Sequence, residues 1–540
     1  MTHPRVDAGD VLPLTLPKLL EQRASEQGDA AFVVVDDERL GYREAEQRSR
    51  VLARGLIASG AGKGTHVGLL HPNGAGYVVA CLAAIRIGAV AVPLSTFSKP
   101  REIADLVRNA DIDVLLSAQA HRSHDYPQAL RMAFAELDTA AAGPLWSRSA
   151  PSLRRIHFES APAGVHADWT YRALQAASET VPDAVLDALE ADVAPADRMV
   201  IIHTSGSTSA PKGVVHTHGA LIRHIDNLNA NRRFDRTEIL FSNSPWFWIG
   251  GFAYTLLGTL IAGARLVCSN AQHASAVLDL IERERPTMVN GFAQSVAHLA
   301  SDPSFASRDL SSIRRGNLYP ILPRALQPAD PGLRHAMLGM TEAGSVCLDA
   351  PDENDLPEHQ RGSFGRPAPG FESRIVDVEA GAVCPTGVIG ELELRSPFLM
   401  QGYLGRERHD TFDPDEWFAT GDLFHVDEAG LHYFHGRAGS MIKTAGANVS
   451  PREVEAAIAD ITGCTAIVIG LPDADRGQRV AAVVVSPEPV DLERLQAALR
   501  ERLSSYKIPR TFVHLREAEV PLMSSGKCDL RALETLFDGH

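Results

Sequence analysis

The sequence predicts an α/β protein: a large N-terminal domain of mixed and parallel βαβ sheets with helices, followed by a small, mobile α+β C-terminal domain. The chain has 540 residues, which is too long for one ordinary hydrophobic core. Residues 31–115 alternate short apolar strands with helical patterns, as parallel sheets do. Near residue 386 the pattern changes to apolar–polar alternation with frequent Gly and Asp, which is typical of half-exposed strands.

The N-terminal elements follow one another in regular succession. AFVVV (31–35) predicts a strand, and a helix, the strand HVGLL, a helix over 76–87 and the strand AVAVPL come after it. Residues 117–190 carry no chemical signature. From 196 to 345, strands such as MVIIH and GARLVCS again alternate with helices, so the same domain continues.

The C-terminal unit begins after GRAGS (436–440). Ser450, Pro451 and Glu453 have the spacing of a capping box with proline at the first helical position, and they predict the start of the helix VEAAIADI. The strand RVAAVVVS and the amphipathic helix DLERLQAALRERL follow. We therefore expect a large domain over residues 1–436, a hinge at 437–440 and a small domain over 441–540.

Composition excludes several classes of function. The formal net charge is −15, which repels nucleic-acid backbones and anionic membranes. The six cysteines are scattered without CxxC spacing, which suits a reducing cytoplasm and opposes a disulfide scaffold or a zinc site. The N-terminus has no apolar signal region. The most apolar stretch, 76–94, contains Arg86 and reads as helix, turn and buried strand, so we expect no membrane span.

The loop TSGSTSAPKG (204–213) stands between two β-branched runs. Successive Gly and Ser amides can point into one concavity and hold phosphate oxygens, with hydroxyls and Lys212 as further donors. A solvated turn explains the same residues, and the loop alone leaves both open. Two other motifs fail here. Pro211 precedes Lys212 and Gly213 follows it, which excludes the nucleotide P-loop pattern and opposes the helix that a Ser–Lys hydrolase needs.

Five further segments join this loop in a family pattern. In order they are GMTEAG (339–344), GELELRSPFLMQGY (390–403), WFATGD (417–422), GRAGSMIKTAGANVSPREVE (436–455) and VPLMSSGKCDLRAL (520–533). The loop itself is similar to the signature TSG[ST]TGxPKG. With the loop and these five segments in order, the chain resembles the acyl-adenylate-forming enzymes. This superfamily includes acyl- and aryl-CoA synthetases, luciferases and peptide-synthetase adenylation domains. The resemblance covers almost the whole chain, 30–533.

The resemblance implies that a carboxylate attacks the α-phosphate of ATP to give acyl-AMP and pyrophosphate. Such a reaction needs its negative charge neutralised and its two anions aligned. By resemblance, the loop would hold the β- and γ-phosphates, Thr341 would contact the α-phosphate, and Glu342 would ligate Mg²⁺, a hard cation that prefers oxygen ligands. Asp422 would accept hydrogen bonds from both ribose hydroxyls, with Arg437 beside it. The loop residues assigned to phosphate are Thr204, Ser205, Gly206, Ser207, Thr208 and Lys212.

The resemblance also assigns roles to the small domain. Lys527 would bridge the substrate carboxylate and the leaving oxygen, so it, Thr341 and Glu342 are the predicted catalytic residues. The domain would then rotate about the hinge and present the stretch Lys443–Gly446 to the pantetheine arm of CoA. Gly446 would let that arm pass close to the backbone.

The sequence departs from the family pattern in three places. Ser209 replaces the usual second glycine of the phosphate loop, and Ser440 stands where many relatives have a hinge Asp or Lys. Ala336, Met337 and Leu338 precede GMTE, where relatives often have Gln or Asn, Gly and Tyr, so the expected aromatic shelf for adenine is missing. Gly339 remains, and we expect Asn317 or Tyr319 to compensate by contacting the base.

The acid pocket is expected between SPWFWIGGFAY (244–254), VNGFAQS (289–295) and the 336–340 strand. Plain core packing explains each aromatic residue equally well. We see no Asp placed to anchor an α-amine, so an apolar or aromatic acid is favoured. His216 and His218, expected on one strand face, favour a structural role because a third metal ligand is lacking. The predicted pocket residues are Trp246, Trp248, Phe252, Phe292 and Leu338.

These observations predict a cytoplasmic, ATP- and Mg²⁺-dependent carboxylate–CoA ligase. One alternative keeps the adenylation but passes the activated group to a carrier-protein pantetheine in trans, or to another nucleophile. Another is a non-catalytic nucleotide-binding homologue, which the altered 336–338 segment favours and the retained Lys212, Glu342, Asp422 and Lys527 oppose. The sequence does not name the acid or the oligomeric state.

Overall fold

The computed structural model describes residues 12–204, 211–291, 296–351, 354–438, 442–444, 447–473, 477–503, 507–523 and 528–537. Its strands, in chain order, are β1 (Ala31–Val35), β2 (Glu38–Gly41), β3 (His66–Leu70), β4 (Val90–Pro93), β5 (Val114–Ser117), β6 (Ala120–His121), β7 (His124–Asp125), β8 (Arg155–Phe158), β9 (Arg198–Thr204), β10 (Lys212–Thr217), β11 (Ile239–Phe241), β12 (Arg265–Cys268), β13 (Met288–Val289), β14 (Arg315–Gly316), β15 (Leu338–Met340), β16 (Ser345–Asp349), β17 (Arg366–Pro367), β18 (Glu372–Val376), β19 (Gly390–Arg395), β20 (Gly402–Tyr403), β21 (Phe418–Val426), β22 (His432–Arg437), β23 (Ile442–Thr444), β24 (Ala447–Val449), β25 (Thr465–Asp473), β26 (Gly477–Val485) and β27 (Thr511–Leu515).

The helices bear out the predicted alternation with the strands. They are α1 (Leu16–Gln27), α2 (Tyr42–Ala58), α3 (Ala75–Arg86), α4 (Pro100–Asn109), α5 (Tyr126–Ala133), α6 (Tyr171–Ser178), α7 (Asp183–Asp192), α8 (His218–Asn231), α9 (Gly258–Ala262), α10 (Ala274–Glu284), α11 (Ala297–Ala300), α12 (Pro451–Thr462), α13 (Leu492–Arg502) and α14 (Leu530–Thr535). A π-helical segment, Gly250–Leu257, leads directly into α9.

Two large sheets form the frame of the N-terminal part. One has the strand order β20-β10-β9-β4-β3-β5-β8 and is parallel from β9 to β8, with β10 and β20 added antiparallel. The other has the order β14-β13-β11-β12-β1-β2 and is parallel except for β2. This arrangement confirms the α/β class expected from the alternation of strands and helices.

Helix α3 explains the most apolar stretch of the chain. All of its residues are buried, and its side chains join the core that contains residues of both large sheets. Arg86 at its end donates to Glu190 Oε1 at 2.6 Å and to Glu46 Oε1 at 3.0 Å, so its charge is paired within the protein. A membrane-crossing helix is not found among the described residues, since none of their helices is both long and apolar enough.

Smaller antiparallel sheets follow the large ones. β15-β16-β17 form one, and β18-β19-β21-β22 form another. Buried and half-buried residues alternate along β19, as the pattern of TGVIGELELRS predicts. The first of these sheets places GMTE at a hairpin turn, and the second places Asp422 opposite Arg437.

The C-terminal unit contains the sheet β24-β23-β26-β25, with β27 parallel to β26 and helices α12–α14. The predicted helix VEAAIADI is confirmed, since α12 begins at Pro451. The predicted capping box is wrong: Ser450 makes no side-chain cap. Its Oγ donates instead to the carbonyl of His435 at 2.7 Å, and Glu453 binds Lys507 Nζ at 2.6 Å. These bonds to residues outside the helix hold both side chains away from the positions of a capping box.

Candidate active site

A β-hairpin brings the two ends of the predicted phosphate loop together. β9 ends at Thr204 and β10 begins at Lys212, and these two residues face each other in the antiparallel register. Both are half-buried. Lys212 Nζ lies 4.9 Å from the centroid of the Tyr403 ring, so a cation–π contact holds the lysine over β20. The hairpin therefore presents a hydroxyl and an ammonium group at one place, as an anion site requires.

Glu342 is tied to the same tyrosine. Tyr403 donates its hydroxyl proton to Glu342 Oε1 at 2.8 Å, and the amide of Met400 donates to the Glu342 carbonyl at 2.8 Å. Burial raises the pKa of Tyr403, and the nearby Glu342 carboxylate raises it further, so the phenol stays protonated and remains a donor. A half-buried carboxylate fixed by one donor is an oxygen ligand suited to Mg²⁺.

His216 holds the backbone of Thr341 by a hydrogen bond. The Thr341 carbonyl accepts from His216 Nε2 at 2.7 Å and from the Gly344 amide at 2.9 Å. A carbonyl oxygen can only accept, so His216 carries its proton on Nε2, and its Nδ1 has no hydrogen-bond partner among the described atoms. Burial lowers the pKa of His216 to about 4, which keeps the imidazole neutral.

His216 and His218 do not share one strand face, contrary to expectation. His216 belongs to β10, whereas His218 is the first residue of α8. His218 Nδ1 accepts from the Leu16 amide at 3.1 Å. Both side chains thus serve as hydrogen-bonding groups in the core, as favoured from the sequence. The described residues also contain no group of three His, Cys, Asp or Glu arranged to hold a metal ion.

Asp422 and Arg437 form an ion pair across β21 and β22. Arg437 Nε donates to Asp422 Oδ1 at 2.6 Å; the Asp422 side chain is 7% exposed, whereas that of Arg437 is 63% exposed. Burial alone would lower the pKa of Arg437, but the bond to Asp422 and the charges of Glu342 and Tyr403 raise it. The charge of Glu342 thus acts on Arg437, although the two residues are distant in the chain.

Asn317 lies where the adenine wall is expected. Its Oδ1 accepts from the Gly291 amide at 3.0 Å, and its Nδ2 donates to the Gly291 carbonyl at 2.9 Å. Asn317, Tyr319 and Met337 line a cavity of about 720 Å³. Gly316 is required beside them, because a Cβ at this position would come within 1.9 Å of the Val289 carbonyl oxygen. Gly339 is exposed in β15.

The predicted aromatic pocket is mostly core in this structure. Trp246 and Phe252 are buried within the main hydrophobic core, and Tyr77 packs edge-on to Trp246 at 5.4 Å. Trp248 is half-buried and packs against Phe247 at 5.3 Å. Leu338 is half-buried in β15, and its carbonyl accepts from the Cys347 thiol. Among the described residues, those that line the 720 Å³ cavity do not include Trp246, Trp248, Phe252 or Leu338.

Several predicted site residues lie outside the part of the chain that the structure describes. They are Ser205, Gly206, Ser207, Thr208, Phe292, Gly446 and Lys527. Lys443 is described by its backbone alone, which lies in β23 opposite Asn448 of β24.

The structure adds residues that the motifs did not single out. Tyr403 connects Lys212 to Glu342, and it stands inside the segment GELELRSPFLMQGY, where its position at the end of a family motif was the available signal. Arg232 and Asn290 line the cavity with polar atoms that lack partners. No sequence signal distinguishes them, because Arg232 directly follows an ordinary helix and Asn290 directly follows an ordinary strand.

Two family models match the chain. The model of the AMP-binding enzyme family matches residues 20–404, and that of the AMP-binding enzyme C-terminal domain matches residues 453–527. The chain is 27% identical to the putative acyl-CoA synthetase YngI of Bacillus subtilis (strain 168), over 96% of each chain. It is 31% identical to a feruloyl-CoA synthase of an Amycolatopsis species, over 90% of this chain and 92% of that one.

A solved structure has the same fold. The anthranilate CoA ligase AuaEII, crystallised in complex with anthranoyl-AMP, superposes with a TM-score of 0.78 at 24% identity, covering 98% of this chain and 99% of that one. At this identity the likeness establishes the architecture, with a large domain followed by a small one.

Proposed function

The chain belongs to the AMP-binding enzyme family, and we propose how its described residues carry out the family reaction. It is an AMP-forming acid–thiol ligase, which uses ATP and Mg²⁺ to activate a carboxylic acid as acyl-AMP with release of pyrophosphate, and then transfers the acyl group to CoA. The following assignments of residues to steps are proposals.

We assign the pyrophosphate end of ATP to the hairpin of β9 and β10. Lys212 and Thr204 supply an ammonium group and a hydroxyl on facing strands, and both can donate to phosphate oxygens. The ring of Tyr403 keeps Lys212 near Glu342 without neutralising it, because a cation–π contact leaves the charge in place. Lys212 is therefore available to stabilise the charge that leaves with pyrophosphate.

Glu342 is the residue that we assign to hold Mg²⁺. When bound, the metal neutralises phosphate charge and helps to orient the oxygens of ATP. The hydrogen bond from Tyr403 fixes one carboxylate oxygen of Glu342 and hence the direction of the other. His216 holds the carbonyl of the preceding Thr341, so the side chain of Thr341 is presented to the α-phosphate from a fixed backbone.

Asp422 is assigned to the ribose hydroxyls. Arg437 donates to Asp422 Oδ1, so ribose binding requires Arg437 to share or release this carboxylate. Arg437 begins the proposed hinge at 437–440. A change of the partner of Asp422, from Arg437 to ribose, would therefore couple nucleotide binding to the position of the small domain, residues 441–540. Movement of that domain would bring Lys527 and then the Lys443–Gly446 stretch to the large domain.

One observation supports the proposal more than any other: three segments distant in sequence meet at Tyr403. Lys212 comes from β10, Glu342 from the turn after β15, and Tyr403 from β20. These are a cation, a carboxylate suited to a metal ion and the tyrosine that contacts both, as adenylation needs at the phosphates.

Exchange of radiolabelled pyrophosphate into ATP tests the proposal, measured with a broad panel of carboxylic acids. We expect exchange that depends on both the acid and Mg²⁺. Absence of exchange across the panel would reject the assignment and favour a nucleotide-binding protein without catalysis. Mass spectrometry of the second half-reaction, with CoA and a pantetheinylated carrier protein offered side by side, identifies the acceptor.

We place the reaction in the cytoplasm. All six cysteines are free thiols in the structure, and three of them, Cys81, Cys268 and Cys347, are buried. Free, buried thiols suit a reducing compartment. Fractionation of the source cells with antibody detection tests this placement, and recovery in an extracytoplasmic fraction would contradict it.

A further inference from the structure

Arg232, at the end of α8, is a buried cation without a carboxylate partner. Its guanidinium lies over the rings of Phe234 and Tyr254, 4.5 and 3.9 Å from their centroids. Nη2 donates to Asn229 Oδ1 at 2.7 Å and to the Tyr254 carbonyl at 2.8 Å. Nη1 makes no hydrogen bond, and no carboxylate lies within ion-pair distance of Arg232 anywhere in the described ranges. Because Arg232 is only 9% exposed, this is a costly arrangement for the protein alone.

Asn290 supplies a second unpaired atom in the same cavity. Its Nδ2 contacts Asn317 Oδ1 at 3.3 Å, whereas its Oδ1 is buried without a donor. Asn290 is 5% exposed, and both it and Arg232 line the cavity of about 720 Å³. Buried polar atoms are normally hydrogen-bonded, so two unsatisfied groups at one cavity indicate a ligand that satisfies them.

The local charge favours an anion. Arg314 and Arg315 also line the cavity, but Glu238 accepts from both of them, at 3.2 and 2.9 Å. Asp349 is the carboxylate among the described lining residues; it accepts from Asn231 at 3.0 Å, and burial raises its pKa while the charge of Arg232 acts against that rise. Arg232 is therefore a buried positive charge that Asp349 influences only from beyond ion-pair distance.

The cavity lies between the three segments from which the acid pocket is expected. Its lining takes Tyr254, Asn290 and Met337 from these segments, together with Asp349 and Arg232, and its described lining includes no residue of the phosphate end. Thr341 follows β15, and Asp349 ends the paired strand β16, which runs away from that turn. The four-residue rise from Ser345 to Asp349 corresponds to about 13 Å. A group at Arg232 thus lies on the order of 10 Å from the carboxylate that is adenylated.

We propose that the acid substrate carries a second carboxylate, about 10 Å from the reactive one, which binds Arg232 Nη1 at the far end of this cavity. Asn290 lies beside it as an acceptor for a polar hydrogen of the same substrate or of a bound water. The inference rests on the proposed adenylation, and it refines the apolar or aromatic acid favoured from the sequence to an acid with an anionic far end.

Matched acids test the proposal with the wild-type protein. The aliphatic series is octanoate, octanedioate and the monomethyl ester of octanedioate. The aromatic series is cinnamate, para-carboxycinnamate and the methyl ester of para-carboxycinnamate at the carboxyl on the ring. In pyrophosphate exchange, kcat/KM for each dicarboxylate should exceed that of its monoacid and its ester by about tenfold to hundredfold, the range of a charge-assisted hydrogen bond. Equal values within both series would overturn the proposal.

Variants locate the effect. Arg232→Met keeps the apolar stem between the two rings and should remove the preference for dicarboxylates, while exchange with the monoacids persists. Arg236→Met, an exposed neighbour that does not line the cavity, is the matched control and should retain the preference. Because Arg232→Met could fail to fold, Asn290→Leu provides a second variant, with an expected rise in KM for the dicarboxylate and an unchanged KM for ATP.

The outcomes separate this proposal from the proposed function. A rise in KM for ATP but not for the acid, in either variant, would mean that the cavity end binds the base, and it would overturn the inference. Exchange with other acids but with no dicarboxylate would overturn the inference and leave adenylation intact. Absence of exchange with every acid in the broad panel would reject adenylation itself.

Discussion

The phosphate end of the cleft and the far end of its cavity differ in how their polar groups are satisfied. At the phosphate end, Tyr403 binds Glu342 and carries Lys212 over its ring, and Arg437 binds Asp422, so the charged groups already contact one another. At the far end, Arg232 and Asn290 keep unpaired atoms. Under the proposed assignments, the groups for adenylation are held in place by the protein itself, whereas the groups assigned to the acid keep atoms that can bind it.

The largest expected effect concerns Lys527, which the resemblance assigns to the phosphate end. A charge pair at ~4 Å with an effective dielectric constant of ~20 contributes about 4 kcal/mol. Lys527→Ala should slow adenylation by roughly 10²–10³-fold. Pyrophosphate exchange measures the effect, with Lys507→Ala as a control, because Lys507 binds Glu453 within the small domain. An unchanged exchange rate in Lys527→Ala would show that Lys527 does not take part in adenylation.

Glu342→Gln should lower the rate by about 10²-fold, because the neutral amide is a poor ligand for Mg²⁺ and a weaker acceptor for Tyr403. The exchange rate should also need more Mg²⁺ to saturate. Glu379→Gln, at an exposed turn, is the control. A loss of rate with an unchanged Mg²⁺ dependence would contradict the metal assignment, though not the contact with Tyr403.

The pH dependence of stability tests whether His216 is held neutral behind Thr341. Its pKa is lowered from 6.5 to about 4, so the unfolded chain binds more protons in this interval and stability falls as the pH drops below about 6.5. At pH 5 this histidine alone should reduce the free energy of unfolding by about 2 kcal/mol. Denaturant unfolding at pH 7 and pH 5 measures the loss.

His216→Phe should make that loss smaller by about the same amount, because the ring cannot take up a proton. His409→Gln is the control, since His409 is exposed and its replacement should leave the pH dependence unaltered. An identical pH dependence in wild type and His216→Phe would contradict the neutral, buried imidazole.

Tyr403→Phe should have the smallest effect. It removes the hydroxyl that binds Glu342 but keeps the ring beneath Lys212, and a hydrogen bond to a charged group contributes at least about 1.5 kcal/mol. We expect about a tenfold fall in exchange rate, whereas Tyr403→Ala should lower the rate further because it also removes the cation–π contact. Equal losses in the two variants would mean that the ring contributes nothing to placing Lys212.

The strands that flank the predicted phosphate loop follow from the sequence, whereas the polar groups at the far end of the cavity do not, for a physical reason. Hydrophobic patterns locate β9 and β10, and a hairpin of that length places Thr204 opposite Lys212. Local patterns fail where a tertiary partner competes: Ser450 donates to His435 and not to its own helix, and Trp246 and Phe252 lie in the core. The significance of Arg232 is visible only in three dimensions, because it depends on which partners are lacking there.

Every assignment above depends on the formation of an acyl-adenylate in this cleft. Mass spectrometry and chromatography of a reaction containing wild-type protein, ATP, Mg²⁺, CoA and an accepted acid detect it. We expect one AMP and one pyrophosphate for each acyl-CoA formed, and acyl-AMP as the product when CoA is omitted. Formation of ADP and inorganic phosphate, or of the thioester without AMP, would contradict it.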